Sequence, residues 1–496
     1  MTTEPLRGPE ASETNELSIS EKERPLPKGW TWHTVGEMVL KAQYGTSAKT
    51  SVKAGIPVLR MGNIRDGELV LDSLKHLPVS HREFPALLLE KGDVLFNRTN
   101  SAELVGKSAV YRGNPSPCSF ASYLIRLRVK PGFVPEFLAW YINSPFGRAW
   151  IASVVSQQVG QANVNGTKLR NLRVPVPSHS EQQRIVAEIE KHFSRLDTAE
   201  SALKRARASL NLYRSAVLNA ACAGELVRTE ADLAQEEGRD FESADELLTR
   251  ILSERRSKWE RHRYEVIELD ASSDVHRQRI SGRYKSPDSP DVNHLHALPK
   301  GWAWSELGQL SWSVKDGPHY SPKYAVEGIP FITGGNVRPS GVDFVNAKRI
   351  SPQLHIQLSK RCKPELGDIL YTKGGTTGIA RVNSYKEEFS VWVHVAVLKL
   401  VDSIDRFFVQ HALNSPFCYS QAQKFTHGVG NQDLGLTRMI RIAIPLPPLA
   451  EQQRIVAEVE RRLSVIDRLE TFVDTNLLRA KNLRQSILHR AFSGNL

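Results

Sequence analysis

The sequence predicts an α+β protein built twice over. Two similar domains are joined by two long helices that pair antiparallel as a coiled coil, a pseudo-twofold internal repeat. Three observations predict this. The octamer EQQRIVAE stands at Glu181–Glu188 and returns unchanged at Glu451–Glu458. Identity over eight residues is far beyond chance and marks an internal repeat. Each copy opens a stretch in which apolar residues recur every seven positions. Shorter matches bring the rest of the two halves into step.

In chain order, residues 1–24 are polar, charged and without periodicity, a flexible tail. The first domain spans 25–179. It opens on LPKGWTW (Leu26–Trp32), and its twin LPKGWAW (Leu298–Trp304) opens the second domain, 298–449. Between these points GIPVLRMGNI (Gly55–Ile64) matches GIPFITGGNV (Gly328–Val337), and KGDVLFNRT (Lys91–Thr99) matches LGDILYTKG (Leu366–Gly374). NSPF recurs at Asn143 and Asn414, and VPVP (Val174–Pro177) answers IPLPP (Ile444–Pro448). The stretches between these anchors share little. Alternating β-branched runs at Pro57–Leu59, Asp93–Phe96 and Tyr123–Val129 predict strands. Glu136–Ile142 and Pro145–Val155 predict short helices, the second with Ser144 as N-cap and Pro145 behind it.

The first long helix covers 180–226 and the second 450–496. One seven-residue row of the first is Ile189, Leu196, Leu203, Leu210 and Val217; the other is Ile185, His192, Ala199, Ala206 and Tyr213. In the second helix the rows are Val459, Ile466, Val473, Ala480, Ile487 and Ile455, Arg462, Leu469, Asn476, Leu483. Gly224 and Gly494 look like C-terminal stops. Each helix is then roughly 40 residues and about 60 Å long. Two unrelated amphipathic helices would also be apolar on one face, but a strict seven-residue period favours pairing. Equivalent halves tend to relate by a twofold, which makes the pair antiparallel.

Residues 227–297 have no twin. Ser243 and Glu246 form a capping box, and Leu247, Leu248, Ile251, Leu252, Arg255 and Trp259 follow at helical spacing. This amphipathic helix, basic from Arg255 to Arg263, could close over the coiled coil or dock a partner protein. A polar linker follows at Asp270–Pro290.

The net charge is +12, which suits an anionic partner such as nucleic acid. The four cysteines lie far apart with no CxxC, against a disulfide framework or zinc site and for a reducing cytoplasm. No apolar run has the length of a membrane span, and no signal peptide opens the sequence. Catalytic motifs are missing. Gly106-Lys107-Ser108 resembles the tail of a phosphate-binding loop, but Ser101 replaces its first glycine. LPPL (Leu446–Leu449) lacks the flanking residues of an amino-methyltransferase motif. The remaining polar positions suit reading of base edges, where Arg and Lys pair with guanine and Asn and Gln with adenine. In the first half these are Arg60, Asn63, Arg98, Lys107, Gln161 and Asn163, with Arg65, Asn97, Asn100 and Asn165 beside them. In the second they are Tyr320, Asn336, Arg338, Lys373 and Asn431, with His319, Thr376 and Gln432. Any one of them can equally be a solvated loop residue or a phosphate contact.

Taken together, LPKGW, GIP…GN, the KGD/LGD turn, NSPF, the twofold P-x-P–EQQRIVAE junction and ADELLTRILSERRSKWE (Ala244–Glu260) resemble the specificity subunit of type I restriction–modification systems. The resemblance covers almost the whole chain after residue 24. It implies two target-recognition domains, each reading one half of a bipartite asymmetric site in double-stranded DNA, with long helices that set the spacer. It implies no catalysis and no cofactor for this chain. Two modification (methyltransferase) subunits would supply S-adenosylmethionine chemistry, and restriction subunits ATP- and Mg-dependent translocation and cleavage. A related system with methylase and nuclease fused in one partner is the alternative. Less favoured are a catalytic DNA methyltransferase and a scaffold without a DNA role.

Overall fold

The computed structural model describes residues 25–51, 54–101, 103–158, 161–269, 284–428 and 432–496. The stretch 1–24 and most of the expected linker lie outside them. The chain forms two compact units, Met1–Lys204 with Asp474–Leu496, and Arg205–Val473.

In the first unit Val39–Tyr44, Leu124–Val129, Val94–Asn97 and Ser108–Val110 form an antiparallel sheet in that order. Side chains alternate across a strand, so each strand feeds two cores. Val94, Phe96, Ile125 and Leu127 face the short helices Pro135–Asn143 and Pro145–Val154 and the long-helix residues Ile185, Ile189 and Ile487. Leu95 and Leu124 face the other way, onto a small sheet in which Ile56–Leu59 lies between Lys75–Leu77 and Ser119–Phe120. Each such buried side chain contributes about 1.5–3 kcal/mol. Ser144 caps the second short helix, accepting from the Gly147 amide.

The second unit repeats this plan. Ser311–Asp316, Val395–Leu400, Ile369–Thr372 and Ala380–Val382 form its main sheet, and Lys348–Ile350, Ile329–Ile332 and Ser390–Val391 its small one. Ile369 and Tyr371 face the helices while Leu370 and Val397 face the small sheet.

The repeated motifs are the joints of this plan. The Trp30 indole donates to Glu181 Oε1 at 3.3 Å, and the Trp302 indole to Glu451 Oε1 at 3.0 Å. Burial raises the Glu451 carboxyl above its ordinary range despite that bond. Gln182 Oε1 accepts from the Val134 amide while its Nε2 donates to the Pro177 carbonyl; Gln452 does the same with Asp405 and Pro447. The octamer thus locks the start of each long helix to the tryptophan that opens its own domain and to the start of a short helix, Pro135–Asn143 or Arg406–Leu413. Asp93 and Asp368 close the GD turns by accepting from the Glu90 and Glu365 amides, and each also takes a cation of the neighbouring strand, Arg128 or Lys399. Asn143 and Asn414 exchange two hydrogen bonds with the backbone of Ser108 and Ala380.

The long helices run His179–Ala223 and Leu449–Ala491. Within each unit the two pieces pass antiparallel. In the first, Arg484 binds Asp197 and Glu200; in the second, Arg214 binds Asp467 and Glu470. Counted from EQQRIVAE, these are the same residues in exchanged roles. The seam is narrower than two full rows. Val459, Ile466, Val473, Ala480 and Ile487 are all buried, whereas Leu469 and Leu483 are about half exposed at 45% and 49%. In the first helix Ile189 and Val217 are buried, Leu196, Leu203 and Leu210 are half-buried, and Ala199, Ala206 and Tyr213 are exposed. The polar members of the second row leave it at the edge of the contact, where the arginine–carboxylate clusters sit.

The central helix, Ala244–Leu269, begins with the expected capping box: Ser243 N donates to Glu246 Oε2 at 2.8 Å. Its buried face lies on the strands of the second half rather than along the long helices. Leu247 and Ile251 enter that core, Glu254 accepts from the Asp402 and Ser403 amides, and Arg255 Nε donates to the Gly308 and Ser311 carbonyls.

Candidate nucleic-acid interface

Each half carries a cleft at the same place, where loops from its two sheets meet. The first has a volume of about 530 Å³ and is lined by Thr46, Arg60, Asn63, Asn100, Ser122 and Tyr123, among others. The second, about 540 Å³, is lined by Thr333, Gly335, Gly375, Trp392, His394 and Gln432, among others. The framework repeats but the walls do not. Arg60 and Met61 stand where the second half has Thr333 and Gly334.

The asparagines of the GN motif hold one of these loops. Asn63 Oδ1 accepts from the Arg60 amide at 2.9 Å, and its Nδ2 donates to the Val70 and Asp72 carbonyls. Asn336 does likewise with Thr333 and Asp343. Both are buried, at 5% and 8% exposure, and their amides are engaged by backbone. Arg60 projects from the loop so held, with Nη2 donating to the Ser73 carbonyl at 3.0 Å. Arg338 leaves the other loop half exposed and paired to Asp343 at 2.8 Å.

Arg98 and Lys373 occupy one position. Each amide donates to the loop before the central strand (Tyr123 or His394), and each carbonyl accepts from the next loop (Val164 or Leu434). Their surroundings differ in a matched way. Tyr44 and Asp316 end the first strand at equivalent registers, opposite Ile125 and Ala396. The Arg98 guanidinium lies over the Tyr44 ring, 4.8 Å from its centre. Lys373 instead places its ammonium 2.7 Å from Asp433 and 3.5 Å from Asp316, and is buried. Arg361 also binds Asp316, at 2.9 Å.

The other candidates are more scattered. Lys107 is half-buried in the turn before Ser108–Val110, its carbonyl accepting from the Asn97 amide. Asn163 donates to Thr99 Oγ1 at 2.9 Å. Gln161 opens the strand Gln161–Asn163 and pairs by register with Gln158 of the strand Ser156–Gln158. Tyr320 is 54% exposed, and its carbonyl accepts from the Trp392 indole. Asn431 lies outside the described residues. Sequence reasoning did not single out Tyr44, Asp316, Trp392 or Asp433. The available signal was the glycine after the strand that Tyr44 or Asp316 ends: a Cβ on Gly45 or Gly317 would stand within 2.2 or 1.8 Å of the carbonyl oxygen of Phe120 or Val391, each the last residue of a small-sheet strand. Such a close backbone approach marks the crossing that frames the cleft.

Among the described residues no group of three or more His, Cys, Asp or Glu could hold a metal ion, and no helix is long and apolar enough to cross a membrane. All four cysteines are buried as free thiols.

A family model described as the type I restriction modification DNA specificity domain matches the chain twice, over residues 27–205 and 299–472. The chain belongs to the type I restriction–modification DNA specificity family. The EcoBI specificity subunit of Escherichia coli is 24% identical over 450 residues, covering 90% of this chain and 81% of the relative. The StySPI specificity subunit of Salmonella potsdam is 22% identical over 480 residues, covering 95% and 90%. A chain solved in a study of complex assembly and conformational transition of the type I R-M system has a TM-score of 0.63 at 19% identity, covering 95% of this chain and all of its own. That likeness shows the fold: two similar α+β domains and long paired helices. The family supplies DNA specificity and is not itself catalytic.

Proposed function

We propose that each cleft reads one part of a bipartite, asymmetric double-stranded DNA site. The observation that carries this is the pair of clefts at equivalent positions with unlike walls: the shared fold implies one task, and the unlike walls imply two targets. The long helices set the spacer between the two parts and, with exposed residues of the central helix such as Arg256 and Arg261, dock two methyltransferase subunits. S-adenosylmethionine belongs to those partners, and ATP and Mg to the restriction subunits that join them. This chain needs no cofactor of its own, and the complex works in the cytoplasm. The candidate readers are Arg60, Arg98, Lys107, Gln161 and Asn163 in the first half and Tyr320, Arg338 and Asn431 in the second, with Asn63, Asn336 and Lys373 shaping the loops that present them. Sequencing methylated bases in a host with and without the gene tests the reading. One two-part motif with a fixed spacer and unlike halves is expected to depend on the gene; a continuous or palindromic motif would count against it.

A further inference from the structure

We propose that Arg98, laid on the ring of Tyr44, is the guanine-reading residue of the first half, and that the second half has no such reader at the matching position. The inference deepens the two-part reading above and rests on it. Arginine carries five N–H donors in a rigid fork. Of these, Nη1 donates to the Ser122 carbonyl at 3.4 Å, on the cleft wall, while Nε is buried without an acceptor. The enclosed Nε cannot reach a ligand, but apart from that one bond the terminal amines are unspent. The fork is also held in place. The Arg98 backbone is pinned on both sides, by the Tyr123 carbonyl and the Val164 amide. The Tyr44 hydroxyl accepts from the Gly166 amide at 2.8 Å, which fixes the ring beneath the guanidinium. A planar fork stacked on a fixed ring keeps its donor edge for an in-plane pair of acceptors, and guanine O6 with N7 is that pair in the major groove. Ordering the side chain before DNA arrives lowers the cost of binding.

The second half replaces both members of the pair together. With Asp316 in place of Tyr44 there is no ring to stack on, and with Lys373 in place of Arg98 there is no fork. The Lys373 ammonium is buried against Asp433 and Asp316, so its charge is compensated within the domain. What faces outward there is the Asp433 carboxylate, its side chain 41% exposed, an acceptor rather than a donor.

The test uses the full chain in complex with its modification partner. Wild type, Arg98→Lys and Arg98→Ala are compared by methylome sequencing and by competition binding against duplexes changed one base pair at a time. Arg98→Lys keeps the charge and most of the length, so it decides the matter even if the alanine variant folds poorly. The expected result is a roughly ten- to hundred-fold loss of discrimination at one G·C pair of the first half-site. The second half-site should be unchanged, and the lysine variant should keep the salt dependence. An unchanged motif in an active lysine variant would overturn the proposal. So would weakening of all sequences alike with a flatter salt slope, the signature of a phosphate contact. A wild-type complex without a two-part motif would instead sink the broader reading before any variant is compared.

Discussion

His411 is a residue the repeat does not share, since the first half has Trp140 at the matching point of its helix. It is buried, its Nε2 meets no acceptor, and Arg381 lies close enough to disfavour a second positive charge. Burial first, and that arginine second, push its pKa down from 6.5 to about 4. The folded domain therefore keeps the imidazole neutral between those values while the unfolded chain takes up a proton. Stability is fully present above pH 6.5 and is lost as pH falls toward 4, by up to roughly 3 kcal/mol. His411→Leu should remove this dependence: its thermal midpoint should fall less than that of the wild type between pH 7 and pH 4.5. Equal losses in both proteins would place the acid sensitivity elsewhere. Single residues also show where the sequence stops short. An asparagine in a Gly-Asn loop can pair with adenine or hold the loop, and its spelling is the same in both roles. Only the fold brings the carbonyls of Val70, Asp72 and Asp343 within reach of Asn63 and Asn336. Arg98 and Lys373 stand at matching points in the sequence, but the ring under one and the Asp316 carboxylate beside the other come from strands more than fifty residues earlier in the chain, and Asp433 lies 60 residues after Lys373.

Elements were more legible than sites because their signals are local. A serine followed by proline starts the helix at Pro145, and a Ser–Glu capping box starts the one at Ala244. The long helices were legible for another reason, that a seven-residue period leaves few alternatives. How much of the period is buried was not, because apolar residues at the edge of a contact look like those at its centre. Ile466 and Leu469 show the contrast, three residues apart on one helix and 1% and 45% exposed. Ile466→Ala removes buried methyl groups and should cost about 2–4 kcal/mol. Leu469→Ala should cost less than about 1 kcal/mol. Chemical denaturation of both variants checks this, and equal costs would mean that the second row is buried as deeply as the first. The central helix was legible as a helix and as amphipathic. Its apolar face could not be assigned, since Leu247 and Ile251 suit any apolar surface, and only Glu254 and Arg255, bound to backbone of the second half, identify the one they cover.

At the scale of the whole molecule, duplication divides the labour between framework and walls. The bonds that build each domain involve residues spelled alike in both halves: the indole on the first octamer glutamate, the first octamer glutamine on two backbone groups, the GD aspartate on its turn. The side chains that differ between the cleft walls, such as Arg60 and Thr333 within the GIP…GN anchor, take no part in those bonds. A domain so built should be exchangeable if the exchange keeps the joints. Replacing Leu26–Pro177 with the corresponding region of a relative, and leaving Glu181 and Gln182 in place, preserves the partners of the Trp30 indole and the Val134 amide. The strand Arg173–Val176 travels with its partner Thr31–Thr34, so that ladder is not cut. We expect the chimera to methylate a motif in which one half-site is the relative's and the other is unchanged. The second cleft, from Thr333 to Gln432, is untouched by the exchange. Sequencing of methylated sites decides it: a change in both half-sites would show that the halves do not read independently, and the division between framework and walls would have to be redrawn.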